Sequence, residues 1–205
     1  MSRKRGVHGE GRARLIGAAA LGYGRGGRGA MTINRACAQA DASVGKVYGH
    51  FPAGLRELED ALYLETLASY QSGLLSELRR HQSAAAGVKS VVIFHLEWIA
   101  DNLPLAHYLL SFSASLLSSE HLVQLDAMNA EFARAVIEWR EPHVASGRIR
   151  RLPAALYWSI VLGPAQQYGT EMISKLAVEE VAAVVRRAGP IFADAAWLAV
   201  KGEQS

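Results

Sequence analysis

The chain has 205 residues, of which 50% are hydrophobic, and its formal net charge is +3. This length can hold a small domain and a larger one, or one large domain, with a core that needs no disulfide or metal. The single cysteine, Cys37, excludes an internal disulfide, and the most apolar stretch is shorter than the ~20 residues of a membrane span. No cleavable signal is recognisable in the first residues, so we expect a cytoplasmic protein.

The positive charge is concentrated in the amino-terminal quarter of the chain. Residues 1–56 contain 10 Lys or Arg and 2 Asp or Glu, whereas residues 57–205 contain 12 and 17. A basic head on an acidic body is expected when one end of a protein meets a polyanion, although basic tails also act as simple solubilisers. Charge alone therefore leaves nucleic-acid binding open.

The head is predicted to contain three short helices after a basic arm. Residues 1–11 are basic and contain glycine without periodicity, which predicts a disordered arm. The glycines that follow Tyr23 weaken and end the first helix. Thr32 and Ser43 are candidate N-caps of the second and third helices. The three helices are predicted at residues 12–23, 32–39 and 43–51.

The rest of the chain predicts a helical body. Leucines recur at helical spacing after Pro52 and predict one long connecting helix over about residues 52–81. Pro164 should bend its helix or remove a backbone hydrogen bond. Further helices are predicted at residues 86–102, 104–118, 120–146, 152–174 and 177–200. The predicted fold class is all-α, with a three-helix head over residues 12–56 and a body of about six helices over residues 57–205.

The second and third helices have the spacing of a helix-turn-helix, at roughly residues 32–51. One side of this segment can form a small buried face from Ile33, Ala36, Cys37, Ala40, Val47 and Phe51. The other side is left with Asn34, Arg35, Lys46, Tyr48 and His50 for a partner. A DNA major groove, about 12 Å wide, admits such a helix.

This segment resembles the amino-terminal domain of the TetR (tetracycline-repressor) family over about residues 12–58. The resemblance rests on several independent positions at matching intervals: Ala18-Ala19, Tyr23, Gly27, Thr32, Ala40-Asp41-Ala42-Ser43, Gly45 and Tyr48-Gly49-His50-Phe51. It implies a homodimeric transcriptional regulator with a DNA-binding head and a ligand-binding and dimerisation body. Such a protein would bind a palindromic operator and be released from it by a small lipophilic ligand.

The resemblance also implies which residues contact DNA. Thr32 and Ser43 would cap helices and touch phosphates, and Tyr48 would bind a phosphate through its hydroxyl. The residues expected to face base edges are Val44, Gly45 and Lys46, and Arg35 and His50 complete the set of expected DNA-binding residues.

Three positions depart from the family pattern. Asp41 replaces the turn glycine, where φ can be positive, and Asp tolerates that conformation better than most residues. Gly54 stands where the family usually has a lysine, so a phosphate contact is expected to be missing. Lys46 stands where Thr is more common and can restore a positive charge on the third helix. These departures affect DNA preference rather than fold.

In the body, aromatic and polar side chains are the candidates for a ligand pocket. Aromatic residues at helical spacing are more often ordinary core, but as a set they can line an apolar cavity of the kind that the resemblance implies. The expected ligand-binding residues are Phe94, His95, Trp98, Tyr108, Phe112, Asn129, Trp139, Trp158, Gln166 and Gln167. The resemblance further implies dimerisation through the last two long helices, about 152–174 and 177–200.

The sequence contains no convincing motif for a cofactor site, a metal site or a catalytic site. The glycines from Gly22 to Gly27 match G-x-G-x-x-G, but a helix precedes them and no βαβ pattern surrounds them, so no dinucleotide cofactor is expected. The seven histidines never pair at i, i+3 or i+4, and we expect no metal site and no catalytic site. Two alternatives stay open: a helical small-molecule-binding protein that has lost DNA recognition, and an α-helical enzyme.

Overall fold

A computed structural model describes residues 2–26, 31–111 and 114–203 of the chain. These residues form ten α-helices and one short 3₁₀ helix, Ala114–Leu116, and their only β-type pairing is an isolated bridge between Ile149 and Lys201. The α-helices are α1 (Ser2–Gly26), α2 (Ile33–Ala40), α3 (Val44–His50), α4 (Leu55–Arg79), α5 (Ala84–Asp101), α6 (Leu103–Ser111), α7 (Ser119–Ala145), α8 (Ala154–Val161), α9 (Gly163–Lys175) and α10 (Val178–Val200). The predicted all-α class is confirmed.

The first helix starts earlier than the sequence predicts. A disordered arm was expected over residues 1–11, whereas α1 begins at Ser2. Helix formation has a costly nucleus and cheap propagation. The buried segment around Leu15 and Ala19 fixes the helix, and the preceding residues extend it despite their glycines.

Two predicted helices are interrupted. The single helix expected over 152–174 is divided at Leu162, which ends α8 and begins α9. Pro164 occupies the first turn of α9, where its missing N–H is tolerated, so the interruption has the cause that the sequence suggested. The helix expected over 104–118 is divided into α6 and the 3₁₀ helix.

The chain divides into two compact units. Unit 1 comprises residues 1–67 and 104–123, and unit 2 comprises residues 68–103 and 124–205. The predicted boundary at residues 56 and 57 thus falls inside unit 1. The difference arises because the start of α4 and part of α6 supply apolar side chains to the core of the head, namely Leu58, Ala61, Leu62 and Tyr108.

Each unit has its own buried core. In unit 1, α1 packs on α2, and the core is completed by the first half of α4 and by α6. In unit 2, α10 packs mainly against α5, and α8 and α9 pack against α10. No helix in the described ranges is both long enough and apolar enough to cross a membrane.

Candidate functional site

Helix α2 in unit 1 is fixed by its cap and by one buried side. The Oγ1 atom of Thr32 accepts a hydrogen bond from the N–H of Arg35 at 3.2 Å, which confirms the predicted N-cap. Ala36, Cys37 and Ala40 are buried, and Ile33 is partly buried against the same core. The buried face expected from the sequence is therefore confirmed for this helix.

The turn between α2 and α3 is made by Asp41, Ala42 and Ser43. Asp41 adopts φ +50° and ψ +53°, the left-handed conformation that the family glycine suggested, and its N–H donates to the carbonyl of Cys37. Asp is among the non-glycine residues that tolerate this region best. The turn keeps its shape without glycine.

Helix α3 presents most of its surface to solvent. The Oγ atom of Ser43 accepts from the N–H of Lys46 at 3.3 Å, so the second predicted N-cap is confirmed. Val47 is the only buried residue of α3. Val44 is 44% exposed and Tyr48 is 47% exposed, although apolar and aromatic side chains are usually covered. This exposed face is formed by Val44, Gly45, Lys46, Tyr48 and Gly49.

The other expected DNA-binding residues divide into two groups. Thr32, Arg35 and Ser43 are exposed, as are the residues of the exposed face of α3. His50, in contrast, is only partly exposed: a Cβ atom on Gly11 would lie 2.9 Å from its Nε2 atom, so the ring lies against α1. Seven of the eight expected residues are therefore exposed, and His50 is partly covered by α1.

Gly54 supports the side chain of Tyr48. It adopts φ +72°, and a Cβ atom there would be 3.2 Å from Cε1 of Tyr48. Its N–H donates to the carbonyl of Phe51 at 2.8 Å, which closes the turn before α4. The long helix consequently begins at Leu55 rather than at the predicted Pro52. A residue that departs from the family pattern thus shapes the position of a candidate phosphate contact.

A buried carboxylate joins α4 to the start of α7 within unit 1. Asp60 is 2% exposed. Its Oδ2 atom lies 3.0 Å from Nδ1 of His121 and accepts a hydrogen bond from the N–H of Ser118 at 3.2 Å. The Oγ atom of Ser118 is also 2.6 Å from Nδ1 of His121. We call this cluster of Asp60, Ser118 and His121 the α4–α7 clasp. No sequence motif indicates it, because Asp60 lies 58 residues before Ser118.

Unit 2 contains a groove between α4 and α7 with a volume of about 640 Å³. Leu75, Met128 and Phe132 supply apolar walls, whereas Arg79 and Glu131 supply charges. The side-chain amide of Gln71, which lines the groove, donates a hydrogen bond to Oδ1 of Asn129 at 2.9 Å. The residues that line the groove are Ala68, Gln71, Ser72, Leu75, Ser76, Arg79, Arg80, Met128, Glu131, Phe132 and Ala135. A volume of this size is within the range of small-molecule sites.

Only some of the expected ligand-binding residues lie near this groove. Asn129 bonds to Gln71 of the lining, and Trp158 stacks on Phe132 with ring centroids 5.6 Å apart. Phe94 instead lines a second cavity of about 410 Å³, which includes Ser90. None of the expected ligand-binding residues lies on the α4 side of the groove, where the residues are mostly small or polar.

The remaining expected ligand-binding residues are placed elsewhere. Trp139 donates to the carbonyl of His81 at 3.2 Å. Gln166 and Gln167 are exposed on α9. Tyr108 belongs to the core of unit 1, where its hydroxyl donates to the carbonyl of Glu59 at 2.8 Å. Phe112 lies outside the described residues. Trp139, Gln166, Gln167 and Tyr108 line neither of the two cavities described above.

His95 and Trp98 belong to an aromatic cluster around Tyr70, in which His95 is buried and both Tyr70 and Trp98 are partly buried. The ring of Tyr70 lies 4.9 Å from that of Trp98 and 6.2 Å from that of Phe94, measured between centroids. Burial raises the pKa of Tyr70 and lowers the pKa of His95 to about 4. Both side chains are therefore neutral at pH 7, and the Nε2 atom of His95 has no hydrogen-bond partner within the described ranges.

Comparison with known proteins identifies the fold. No family model matches the sequence, and no curated protein matches it. Among solved structures, a TetR-family transcription regulator from Marinobacter aquaeolei VT8 has a TM-score of 0.71 at 15% identity, covering 98% of this chain and 100% of that chain. A TetR-family regulatory protein from Rhodococcus RHA1 has a TM-score of 0.69 at 19% identity, covering 91% and 96%.

A third solved structure has a ligand. The transcriptional regulator FadR from Bacillus subtilis, in complex with stearoyl-CoA, has a TM-score of 0.64 at 15% identity, covering 86% of this chain and 96% of that chain. The likeness to these three proteins extends over both units. This chain has the fold of TetR-family transcription regulators.

Proposed function

We propose that this chain is a DNA-binding transcriptional regulator whose DNA affinity is controlled by a small, largely apolar effector. The observation that carries the proposal is the exposed face of α3, a helix that is capped by Ser43 and presents Val44, Lys46 and Tyr48 to solvent. A short helix displayed in this way fits a major groove, where its first residues reach base edges. The basic character of residues 1–56 supports attraction to phosphates.

Within this proposal each exposed residue has a defined role. Val44, Gly45 and Lys46 face base edges, and Tyr48 donates its hydroxyl to a phosphate. Thr32, Arg35 and Ser43 contact the flanking backbone. His50, which lies against α1, has at most a secondary role.

We further propose that the protein acts as a homodimer through its last helices. On α10, Ile191 and Leu198 are 71% and 62% exposed and stand seven residues apart, hence on one side of the helix. Leu156 of α8 is also exposed. A two-fold dimer would present two α3 helices to half-sites about 34 Å apart, or a related spacing, in a palindromic operator.

The effector is proposed to occupy the groove between α4 and α7 in unit 2. Both helices continue into unit 1, because the boundaries between the units fall within them. The α4–α7 clasp joins the same two helices again in unit 1. An effector that changes the separation of α4 and α7 in the groove can therefore act on the head through this clasp.

The relative from Bacillus subtilis supports an apolar effector, since that protein of the same fold is in complex with stearoyl-CoA. In our proposal the effector releases the protein from DNA, as a repressor would require, and the protein acts in the cytoplasm. The coupling must be reciprocal: an effector that weakens operator binding tenfold is itself bound tenfold more weakly by the operator complex.

The proposal is tested with the DNA that lies upstream of the chain's own gene. Fluorescence anisotropy of the full chain should show sequence-specific binding that weakens steeply as salt rises. Lys46→Ala should weaken this binding at least tenfold and relax its sequence specificity, and Tyr48→Phe should weaken it several-fold.

Lys175→Ala is the matched control, because it removes one exposed lysine from α9 in unit 2. It should leave DNA binding unchanged, and all three variants should unfold at the temperature of the wild type. Equal affinities of Lys46→Ala, Lys175→Ala and the wild type would refute the assigned interface. Absence of specific binding at low salt would favour a ligand-binding protein without DNA recognition.

A further inference from the structure

A buried arginine lies against α8 without a counter-ion. The side chain of Arg140 on α7 is 8% exposed, and its guanidinium carbon lies 5.0 Å from the ring centroid of Tyr157. Its Nε atom has no hydrogen-bond partner among the residues that the structure describes, and the ion pairs found there do not include it. Arginine stays charged at any physiological pH, and burying an unpaired charge destabilises a fold.

A second unpartnered nitrogen lies one helical turn further along. His143 is buried and, at three residues from Arg140, is its neighbour on the surface of α7. Its Nδ1 atom also has no hydrogen-bond partner in the described part of the chain, and its ring centroid lies 4.5 Å from that of Trp139. Burial, together with the positive charge of Arg148, lowers the pKa of His143. The two nitrogens are hydrogen-bonding groups that the fold itself leaves unused.

The charges around this position are mainly positive. Arg148, Arg150 and Arg151 follow α7 directly and are exposed. The nearest carboxylate in sequence, Glu141, is 3.4 Å from Arg151 and is thereby paired. The local field therefore favours an anion. Trp158, whose ring centroid is 5.7 Å from that of Tyr157, adds a flat apolar surface beside it.

We propose that Arg140 and His143 form an oxyanion-binding site beside α8, whose ligand is a small molecule with a carboxylate or phosphate group. The guanidinium fork matches either group and forms charge-assisted hydrogen bonds with it. The site lies on residues that line neither of the two cavities described above. This anion site goes beyond the proposed function and does not depend on that function, because anion binding requires no DNA.

The test is thermal unfolding of the full chain at constant ionic strength. Inorganic phosphate and benzoate represent the two oxyanion sources, and neutral benzamide has the shape of benzoate without its charge. A saturable rise in Tm is expected with at least one of the two anions and not with benzamide. The anion that binds more tightly identifies the source.

Two variants assign this effect to the buried guanidinium. Arg140→Met should weaken the effective anion at least tenfold, and without ligand it should melt at or above the wild-type Tm because an unpaired buried charge is gone. Arg151→Met removes an exposed positive charge of the same residue type and should retain the wild-type response. Should Arg140→Met fail to fold, Arg140→Lys keeps the charge and still loses the Nε–H donor, so weakened binding is expected there as well.

The proposal is overturned if neither anion gives a saturable shift. It is also overturned if the wild type, the Arg140 variant that folds, and Arg151→Met respond equally, which would mean general screening of positive charge. Because no DNA is present, these results are independent of the test of the DNA interface.

Discussion

The hydroxyl of Tyr70 lies 2.6 Å from the Nδ1 atom of His95 in the interior of unit 2. The pair joins α4 to α5, and burial of His95 keeps this histidine neutral at pH 7. In the unfolded chain the same histidine titrates near its ordinary pKa of about 6.5. Folding is therefore linked to pH through this residue.

Acidification should destabilise the protein between about pH 6.5 and pH 4. In this range the unfolded state binds a proton at His95 and the folded state does not, so the free energy of unfolding falls as pH falls. The pKa of about 4 sets the lower end of this range. The upper limit of the loss is about 3.5 kcal/mol, because the pKa values of the unfolded and folded states differ by about 2.5 and a difference of 1 corresponds to about 1.4 kcal/mol. Urea unfolding at several pH values measures it. His95→Gln should flatten much of the slope, and an unchanged slope would show that other groups cause it.

The α4–α7 clasp should contribute to the stability of unit 1. Asp60→Ala removes the carboxylate that pairs with His121 and accepts from the N–H of Ser118. The expected loss is about 2–3 kcal/mol, because buried groups lose their partner. Asp126→Ala, at an exposed position of α7, should change stability by less than about 0.5 kcal/mol. Equal effects of the two substitutions in denaturant unfolding would contradict the assignment.

Restoring the family lysine at position 54 should not restore DNA affinity. Gly54→Lys places a side chain at φ +72°, with its Cβ 3.2 Å from the ring of Tyr48. We expect a loss of about 1–2 kcal/mol in stability and displacement of Tyr48. Ala53→Lys, at the exposed neighbouring residue, adds the same charge without this strain and should increase DNA affinity at low salt. Tighter DNA binding by Gly54→Lys with unchanged stability would refute this reasoning.

The proposed dimer should depend on the exposed side of α10. Ile191→Glu and Leu198→Glu introduce charges that a buried interface cannot accept, and light scattering should show a shift from dimer to monomer. Val123→Glu serves as the control, because Val123 is as exposed as Ile191 but belongs to unit 1. A dimer that survives both α10 substitutions would place the interface elsewhere.

Two glycines should respond to alanine in opposite directions. A Cβ atom on Gly87 would lie 2.2 Å from Cζ2 of Trp139, so Gly87→Ala should lower stability by about 1–3 kcal/mol through overpacking. Gly17 lies exposed within α1 with no atom within 4 Å of such a Cβ, and Gly17→Ala should raise stability by about 0.5–1 kcal/mol. Denaturant unfolding of both variants checks the sign of each effect.

Local chemistry explains which parts of the head were predictable. Thr32 and Ser43 cap helices by bonding to an N–H three residues away, so their roles follow from neighbouring residues. The left-handed turn at Asp41 and the interruption near Pro164 likewise depend on the conformational preferences of single residues. Such features need no knowledge of distant parts of the chain.

The parts that sequence reasoning missed depend on contacts between distant segments. Tyr108 was assigned to the body by its position in the chain, yet α6 returns to the core of unit 1. Asp60 and His121 are separated by about sixty residues and carry no joint motif. Arg140 is indistinguishable in sequence from a solvent-exposed arginine, and only burial without a counter-ion marks it.

Helix α3 is anchored by a single buried side chain, that of Val47, while Phe51 follows it in the core. The exposed residues of α3 are thus almost entirely separate from those that hold the helix. Mutation can alter the exposed face of α3 repeatedly with little penalty in folding. If the proposed function holds, new DNA target sequences can be acquired without rebuilding the domain, and an engineer could exchange the outward side chains of α3 while retaining Val47 and Phe51.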